Sequence, residues 1–209
     1  MADFKRSKLL DRLTVRVMNP LSKVIARTGI SVPAQPSLLK EVFKGYGTSG
    51  LTAYSGMTGD MPIRNWGGVG YVDYTYQSAK KGSDESVIKY QERKYACQSC
   101  PMGCGGIIDI KKGRFAGTTG HKPEYETLAM FGSNLLNDDL PSIVKVNEIC
   151  NNYGMDTITV GATIGYAIEC YENGLITAED TDGLEMTWGN AASIVAMTEK
   201  IGKREGFGD

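Results

Sequence analysis

The chain has 209 residues, 41% hydrophobic and 22% charged, a composition that suits a soluble, core-forming protein and excludes wholesale disorder. No stretch reaches the roughly 20 apolar residues of a membrane span, and the 26 glycines follow no collagen-like period. A net charge of −1 lacks the basic field that phosphate-backbone binding demands, so neither nucleic acid nor a membrane is an expected partner.

The charge is unevenly spread. Residues 1–40 hold eight Lys/Arg against Asp3 and Asp11, a balance of +6, while the remainder holds 15 basic and 22 acidic side chains, or −7. Lys8-Leu9-Leu10-Asp11-Arg12-Leu13 is amphipathic in the manner of a transit peptide or surface helix, yet no apolar run follows it. Residues 1–36 therefore read as a basic linker or solvated helical segment, and 37–209 as the principal domain.

Gly29–Ser37, with two prolines, reads as a linking loop. Ser37 is a plausible cap for a helix striped by Leu38, Leu39, Val42 and Phe43 and stopped by Gly45 and Gly47. Residues 47–70, rich in Gly, Thr and Ser, predict a loop that closes on Met61-Pro62-Ile63-Arg64-Asn65-Trp66, and 71–94 predict unpatterned surface. Ile107–Ile110, Lys111-Lys112-Gly113 and Arg114–Ala116 read as a short β-hairpin.

From 138 onward the period is helical. Asp139 is placed to cap a helix with Pro141 in its first turn, Ile143, Val146, Ile149 and Cys150 inward, and Gly154 at its end. A second helix carries Val160, Ile164, Ala167, Ile168 and Tyr171 and stops at Asn173-Gly174. A third starts at Asn190, with Ala191, Ile194, Val195, Thr198 and Ile201 on one face. The expected fold is mainly α, an irregular multi-helical domain with a small β-hairpin after a cysteine cluster.

That cluster is the strongest local signal. Cys97, Cys100 and Cys104 stand at C-x2-C-x3-C spacing, with Pro101, Gly103, Gly105 and Gly106 bending the backbone around them. An odd total of five cysteines, three of them crowded together, suits metal binding in a reducing compartment, hence the cytoplasm, better than disulfides. The spacing favours an iron–sulfur cluster, with tetrahedral zinc or unligated thiols as alternatives. Either metal needs a fourth ligand, from Cys150, Cys170, His121 or beyond the chain; Cys150 and Cys170, on helices, read first as small buried hydrophobes.

Two further groups are candidates. In His121-Lys122-Pro123-Glu124-Tyr125-Glu126-Thr127 the carboxylates are two residues apart, so they cannot share a helix face, and at most one is expected in a pocket. In Asn151-Asn152-Tyr153-Gly154-Met155-Asp156-Thr157 one helix stops and the next begins, and Asp156 and Thr157 read most simply as its cap.

Taken together, Cys97/Cys100/Cys104, Pro123-Glu124-Tyr125-Glu126, the run Asn147–Ile158 and Glu169-Cys170-Tyr171-Glu172 resemble the tungsten-containing aldehyde:ferredoxin oxidoreductase family. Tyr46-Gly47-Thr48, Met61–Trp66, Trp188-Gly189-Asn190 and Arg204-Glu205-Gly206 fit the same likeness, which covers about residues 37–208. The resemblance implies a tungsten (or molybdenum) bis-pterin beside a 4Fe-4S cluster, oxidation of aldehydes to carboxylic acids, and single-electron transfer to ferredoxin. It implies cluster ligation by Cys97, Cys100 and Cys104 plus one distant cysteine, and a proton donor or acceptor in Glu126. The pterin-binding turn falls on Asn151 to Asp156, with Thr157 beside it. Asn151 stands where the family has an acid and Met155 where it has Leu, so Asp156 inherits the role better than Asn151.

Full members carry a β-rich pterin domain before this segment and a helical domain after it. The likeness therefore implies the middle domain of such an enzyme, as a fragment or a separate subunit, inactive alone. Its expected partners are ferredoxin, the missing domains or subunits, and a second copy in a homodimer. Substrate stays open between aldehydes or carboxylic acids and, in a related enzyme, aromatic acyl-CoA thioesters reduced with dearomatisation. A free-standing iron–sulfur electron carrier and a zinc-structured domain are the non-enzyme readings.

Overall fold

The computed structural model describes residues 36–209, of which Lys40–Asp209 form one compact unit. The basic segment expected as linker or helix over 1–36 lies outside them but for its last residue. Helix α1 (Pro36–Tyr46) has Pro36 in its first position, so Ser37 is inside it rather than capping it. Gly45 does not stop this helix. The stop is Gly47, whose φ of 74° is left-handed and whose N–H returns to Phe43 O at 2.8 Å.

The loop expected over 47–70 is partly helical: a 3-10 turn at Thr48–Leu51 leads into α2 (Thr52–Thr58). These turns hold by short polar side chains on the backbone, Ser49 Oγ to Tyr46 O and Thr52 Oγ1 to Ser49 O, so no apolar period marks them. The stretch expected as plain surface likewise contains α3 (Gly70–Asp73), α4 (Tyr76–Lys81), α5 (Asp84–Ile88) and strand β1 (Gln91–Tyr95). Around these short elements the buried apolar side chains are few (Tyr74, Ala79, Val87), too sparse for periodicity to register.

Arg64, Asn65 and Trp66 form a left-handed turn with φ of 47°, 49° and 62°. It is pinned by Arg64 N–H to Ser133 O (3.1 Å), Asn65 N–H to Asn134 O (3.0 Å) and Asn65 Nδ2 to Glu169 Oε2 (2.6 Å). Arg64 also pairs with Glu172 and lies over the Trp188 ring.

A small antiparallel sheet has the order β1–β2–β3, with β2 at Gly105–Asp109 and β3 at Thr119–His121. The hairpin after the cysteines exists, but Ile107 to Asp109 pair with His121 to Thr119 rather than with Arg114–Ala116, which form turns. On its other side β2 pairs with β1, Tyr95 against Gly105, so the cysteine loop is itself a hairpin connection.

The remaining helices are α6 (Tyr125–Phe131), α7 (Leu140–Tyr153), α8 (Thr157–Glu172) and α9 (Ala191–Lys203). The last three follow the apolar stripes read from sequence. Asp139 sits at the N-cap of α7, yet its side chain makes no capping bond; its carbonyl takes the Ser142 hydroxyl instead. Asp156 and Asn190 do cap α8 and α9, accepting Thr159 N–H (2.7 Å) and Ser193 N–H (3.2 Å). Phe131, Ile143, Val146, Ile164, Ile168 and Ile194 meet in one apolar core, each worth roughly 2 kcal/mol in area removed from water. The architecture is mainly α with a small sheet, as the pattern implied.

Candidate active site and cysteine loop

The loop from Ala96 to Cys104 leaves β1 and returns as β2, turning through left-handed Ser99 (φ 60°) and Gly103 (φ 61°). Its first turn closes with Cys100 N–H on Cys97 O at 3.0 Å. Backbone N–H groups of Gly103 and Met102 point at the Cys100 sulfur and hold its thiol below the ordinary range, which favours the thiolate a soft metal takes. Among the described residues no three His, Cys, Asp or Glu side chains gather on one point as a single-ion site. Three cysteines spaced along one loop, with N–H donors turned toward the Cys100 sulfur, are a donor set of the kind that holds a polynuclear cluster. The residues fit the group.

Cys150 is fully buried on α7 and its thiol is pushed up to about 11 by burial, so it is the small core hydrophobe expected. Cys170 departs from that expectation: it is partly exposed on α8, one turn beyond Tyr166.

Gly105 lets the Tyr95 ring lie across β2. A Cβ on it would fall 2.5 Å from Tyr95 Cζ. The ring thereby reaches His121 on β3, with Tyr95 Oη 2.8 Å from His121 Nδ1. Burial first, then the charges of Cys97, Glu124 and Cys104, raise the phenol above its usual range, so Tyr95 keeps its proton.

Next in sequence, Lys122 is 4% exposed, and its Nζ donates to Tyr46 O at 2.7 Å. Burial lowers its pKa while Glu124 and Cys104 oppose that shift. Glu124 accepts the Thr48 hydroxyl, and Thr48 Oγ1 receives Tyr125 N–H at 2.8 Å. The Tyr46-Gly47-Thr48 motif is thus the strap that holds Lys122 and Glu124.

Glu126, Asn151, Asp156 and Thr157 come together on one cleft of about 470 Å³. Glu126 is exposed in the first turn of α6. Thr157 Oγ1 meets Thr127 Oγ1 at 2.9 Å, and Asn151 Nδ2 turns back to Asn147 O at 2.8 Å. Asp156 spends Oδ2 on its Thr159 cap, which lowers its pKa and keeps it an anion. Both Glu124 and Glu126 line the cleft, against the expectation of at most one, because Glu124 precedes α6 and the helix-face rule does not reach it. Tyr95, His121, Lys122, Thr127, Asn147, Met155 and Ile158 complete the wall. Sequence reasoning gave Tyr95 and Lys122 no role and weighed His121 only as a possible fourth metal ligand; the place of His121 and Lys122 just before Pro-Glu-Tyr-Glu could have marked both for the cleft.

The other motifs of the resemblance lie elsewhere. Met61–Trp66 and Trp188 meet Glu169 and Glu172, about 20 Å along α8 from its cleft end.

Residues 23–209 match the family described as aldehyde ferredoxin oxidoreductase, domains 2 and 3. The chain belongs to that family. It is 37% identical over 165 residues to the tungsten-containing aldehyde ferredoxin oxidoreductase of Pyrococcus furiosus, covering 78% of this chain and 26% of that protein. The aliphatic sulfonate oxidoreductase, WOR-like subunit, of the same organism is 28% identical over 214 residues, 97% of this chain and 32% of that one. In fold the chain is similar to the active site complex BamBC of benzoyl coenzyme A reductase, with a TM-score of 0.63 at 20% identity over 90% of this chain and 27% of that one. The chain spans about a quarter of the length of the relatives it matches. No helix among the described residues is long and apolar enough to cross a membrane.

Proposed function

We propose that this chain is the segment of a tungsten bis-pterin, iron–sulfur oxidoreductase that interconverts aldehydes and carboxylic acids, passing electrons one at a time to ferredoxin in the cytoplasm. One observation carries the reading: Glu126, Asn151, Asp156 and Thr157 line the same cleft as Tyr95, whose phenol feels the charges of Cys97 and Cys104. A substrate site and an electron-accepting site would then adjoin through one aromatic wall.

Cys97, Cys100 and Cys104 would hold a 4Fe-4S cluster, and Asn151, Asp156 and Thr157 would contact the pterin. When bound, the tungsten cofactor supplies two-electron oxo-transfer chemistry. Oxidation of an aldehyde with water to a carboxylic acid releases two electrons and two protons, and Glu126 is placed to take up one of those protons. Its exposure to the cleft gives that proton a way out to solvent. The dearomatising reductase stays the second reading, favoured by the fold likeness alone.

The test is anaerobic purification of the full gene product, with iron, sulfide and tungsten analysis and a dye-coupled aldehyde assay. Iron and tungsten together with aldehyde turnover are expected. A folded, iron-free protein would overturn the reading.

A further inference from the structure

Lys122 carries a charge that the cleft chemistry leaves unused. It follows β3, where its N–H pairs with Gly106 O at 2.8 Å, so backbone pairing fixes it directly behind the end of the cysteine loop. The ammonium is buried, and among the described residues it forms no ion pair with a carboxylate. It has one backbone acceptor, Tyr46 O. The charged groups that face it are Glu124, Cys104 and Lys94.

Gly47 locates the ammonium relative to the loop. A Cβ built on that glycine would stand 2.6 Å from Lys122 Nζ and 3.0 Å from the carbonyl oxygen of Cys104. The absence of that Cβ gives the lysine its berth against the third cysteine. Glu124 is partly committed to the Thr48 hydroxyl. A buried cation with one neutral acceptor and no ion pair carries a desolvation cost that a nearby anion would offset.

We propose that Lys122 is the buried counter-charge of the iron–sulfur cluster held by the Cys97–Cys104 loop, and that it raises the reduction potential of that cluster. The inference rests on the cluster reading above. One-electron reduction adds a negative charge to an already anionic centre, and a fixed cation in a medium of low dielectric favours the reduced form. Water screens an exposed lysine, so Lys94, exposed on β1 with its Nζ on Lys44 O, contributes far less.

The experiment is an EPR-monitored redox titration of the cluster in the full gene product, purified anaerobically, for wild type, Lys122→Met, Lys122→Gln and Lys94→Met. Both Lys122 variants are expected to keep their iron and to lower the reduced-to-oxidised ratio at fixed potential about tenfold, a midpoint lower by ~59 mV for one electron. Lys94→Met should stay with wild type. Unchanged midpoints in both iron-replete Lys122 variants would overturn the inference. Loss of iron from both would overturn it, making Lys122 a residue of cluster retention if far-UV circular dichroism stays native and a packing residue if the fold is lost too. A wild-type protein that never holds iron would instead remove the cluster reading itself.

Discussion

Thr127 and Thr157 touch through their hydroxyl oxygens at 2.9 Å, tying the first turns of α6 and α8 together at the cleft. Thr127 is buried and Thr157 partly so, which makes the bond part of the packing as well as of the site. Thr127→Val should cost about 1 kcal/mol in chemical denaturation, the usual worth of one hydroxyl bond. The double variant with Thr157→Val should cost less than the sum of the two single changes. Additive costs would mean that the two hydroxyls do not depend on each other.

Replacing Cys97, Cys100 or Cys104 by Ser should bring bound iron to background, since a neutral hydroxyl cannot act as a soft anionic ligand. Cys150→Ser should keep its iron and lose stability, because it puts a hydroxyl where a protonated thiol lies in the apolar core. Iron and sulfide assays with thermal melts separate the two classes. Full iron in Cys100→Ser would remove the loop from the cluster.

Glu126→Gln keeps the shape of the side chain and removes its acid–base function, so aldehyde turnover should fall about 100-fold at unchanged metal content. Glu124→Gln keeps an oxygen for the Thr48 hydroxyl and should stay within a few-fold of wild type. Equal losses in the two variants would point to cleft shape rather than proton transfer.

Gly105→Ala would drive a methyl group into the Tyr95 ring and part it from His121. A destabilisation of about 1–3 kcal/mol is expected, as for other insertions into filled space. The His121 ring resonances should move in the NMR spectrum. An unmoved histidine with native stability would show that the Tyr95–His121 contact does not depend on Gly105.

Asp182 binds Phe207 N–H at 2.8 Å and Lys200 Nζ at 3.1 Å, and these partners hold its pKa below the ordinary Asp value of 3.8. A lowered folded-state pKa gives stability that is complete above 3.8 and drains away as pH falls through the lower folded value. Asp182→Asn should flatten that acid limb of a stability–pH curve and leave the neutral region less affected. An acid limb identical to wild type would mean that other carboxylates set it.

The legible parts of this chain are those with long periods. Helices α7, α8 and α9 each bury several apolar residues at helical spacing, and two of their caps, Asp156 and Asn190, use side chains that announce themselves. Helix α2 was not legible, since hydroxyls such as those of Ser49 and Thr52 hold its first turns. The pairing of β2 with β1 was hidden because β1, Gln91–Tyr95, is polar and mostly exposed. In the site, Glu126 and Asp156 entered through the family likeness, while Tyr95 and Lys122 required the register of the sheet and the berth beside Gly47.

The cysteine loop is a connection between neighbouring strands, and that fixes a sequence of events as the chain leaves the ribosome. The strap at Tyr46–Thr48, both long strands and all three cysteines emerge before His121, and the brace of α7, through Asn147 and Glu148, comes later with the helical core against which Ile108 packs. The cleft, by contrast, needs Asn151 to Ile158. Contacts near in sequence form early, so the two strands that carry the cysteine loop can pair while the cleft still lacks its far wall.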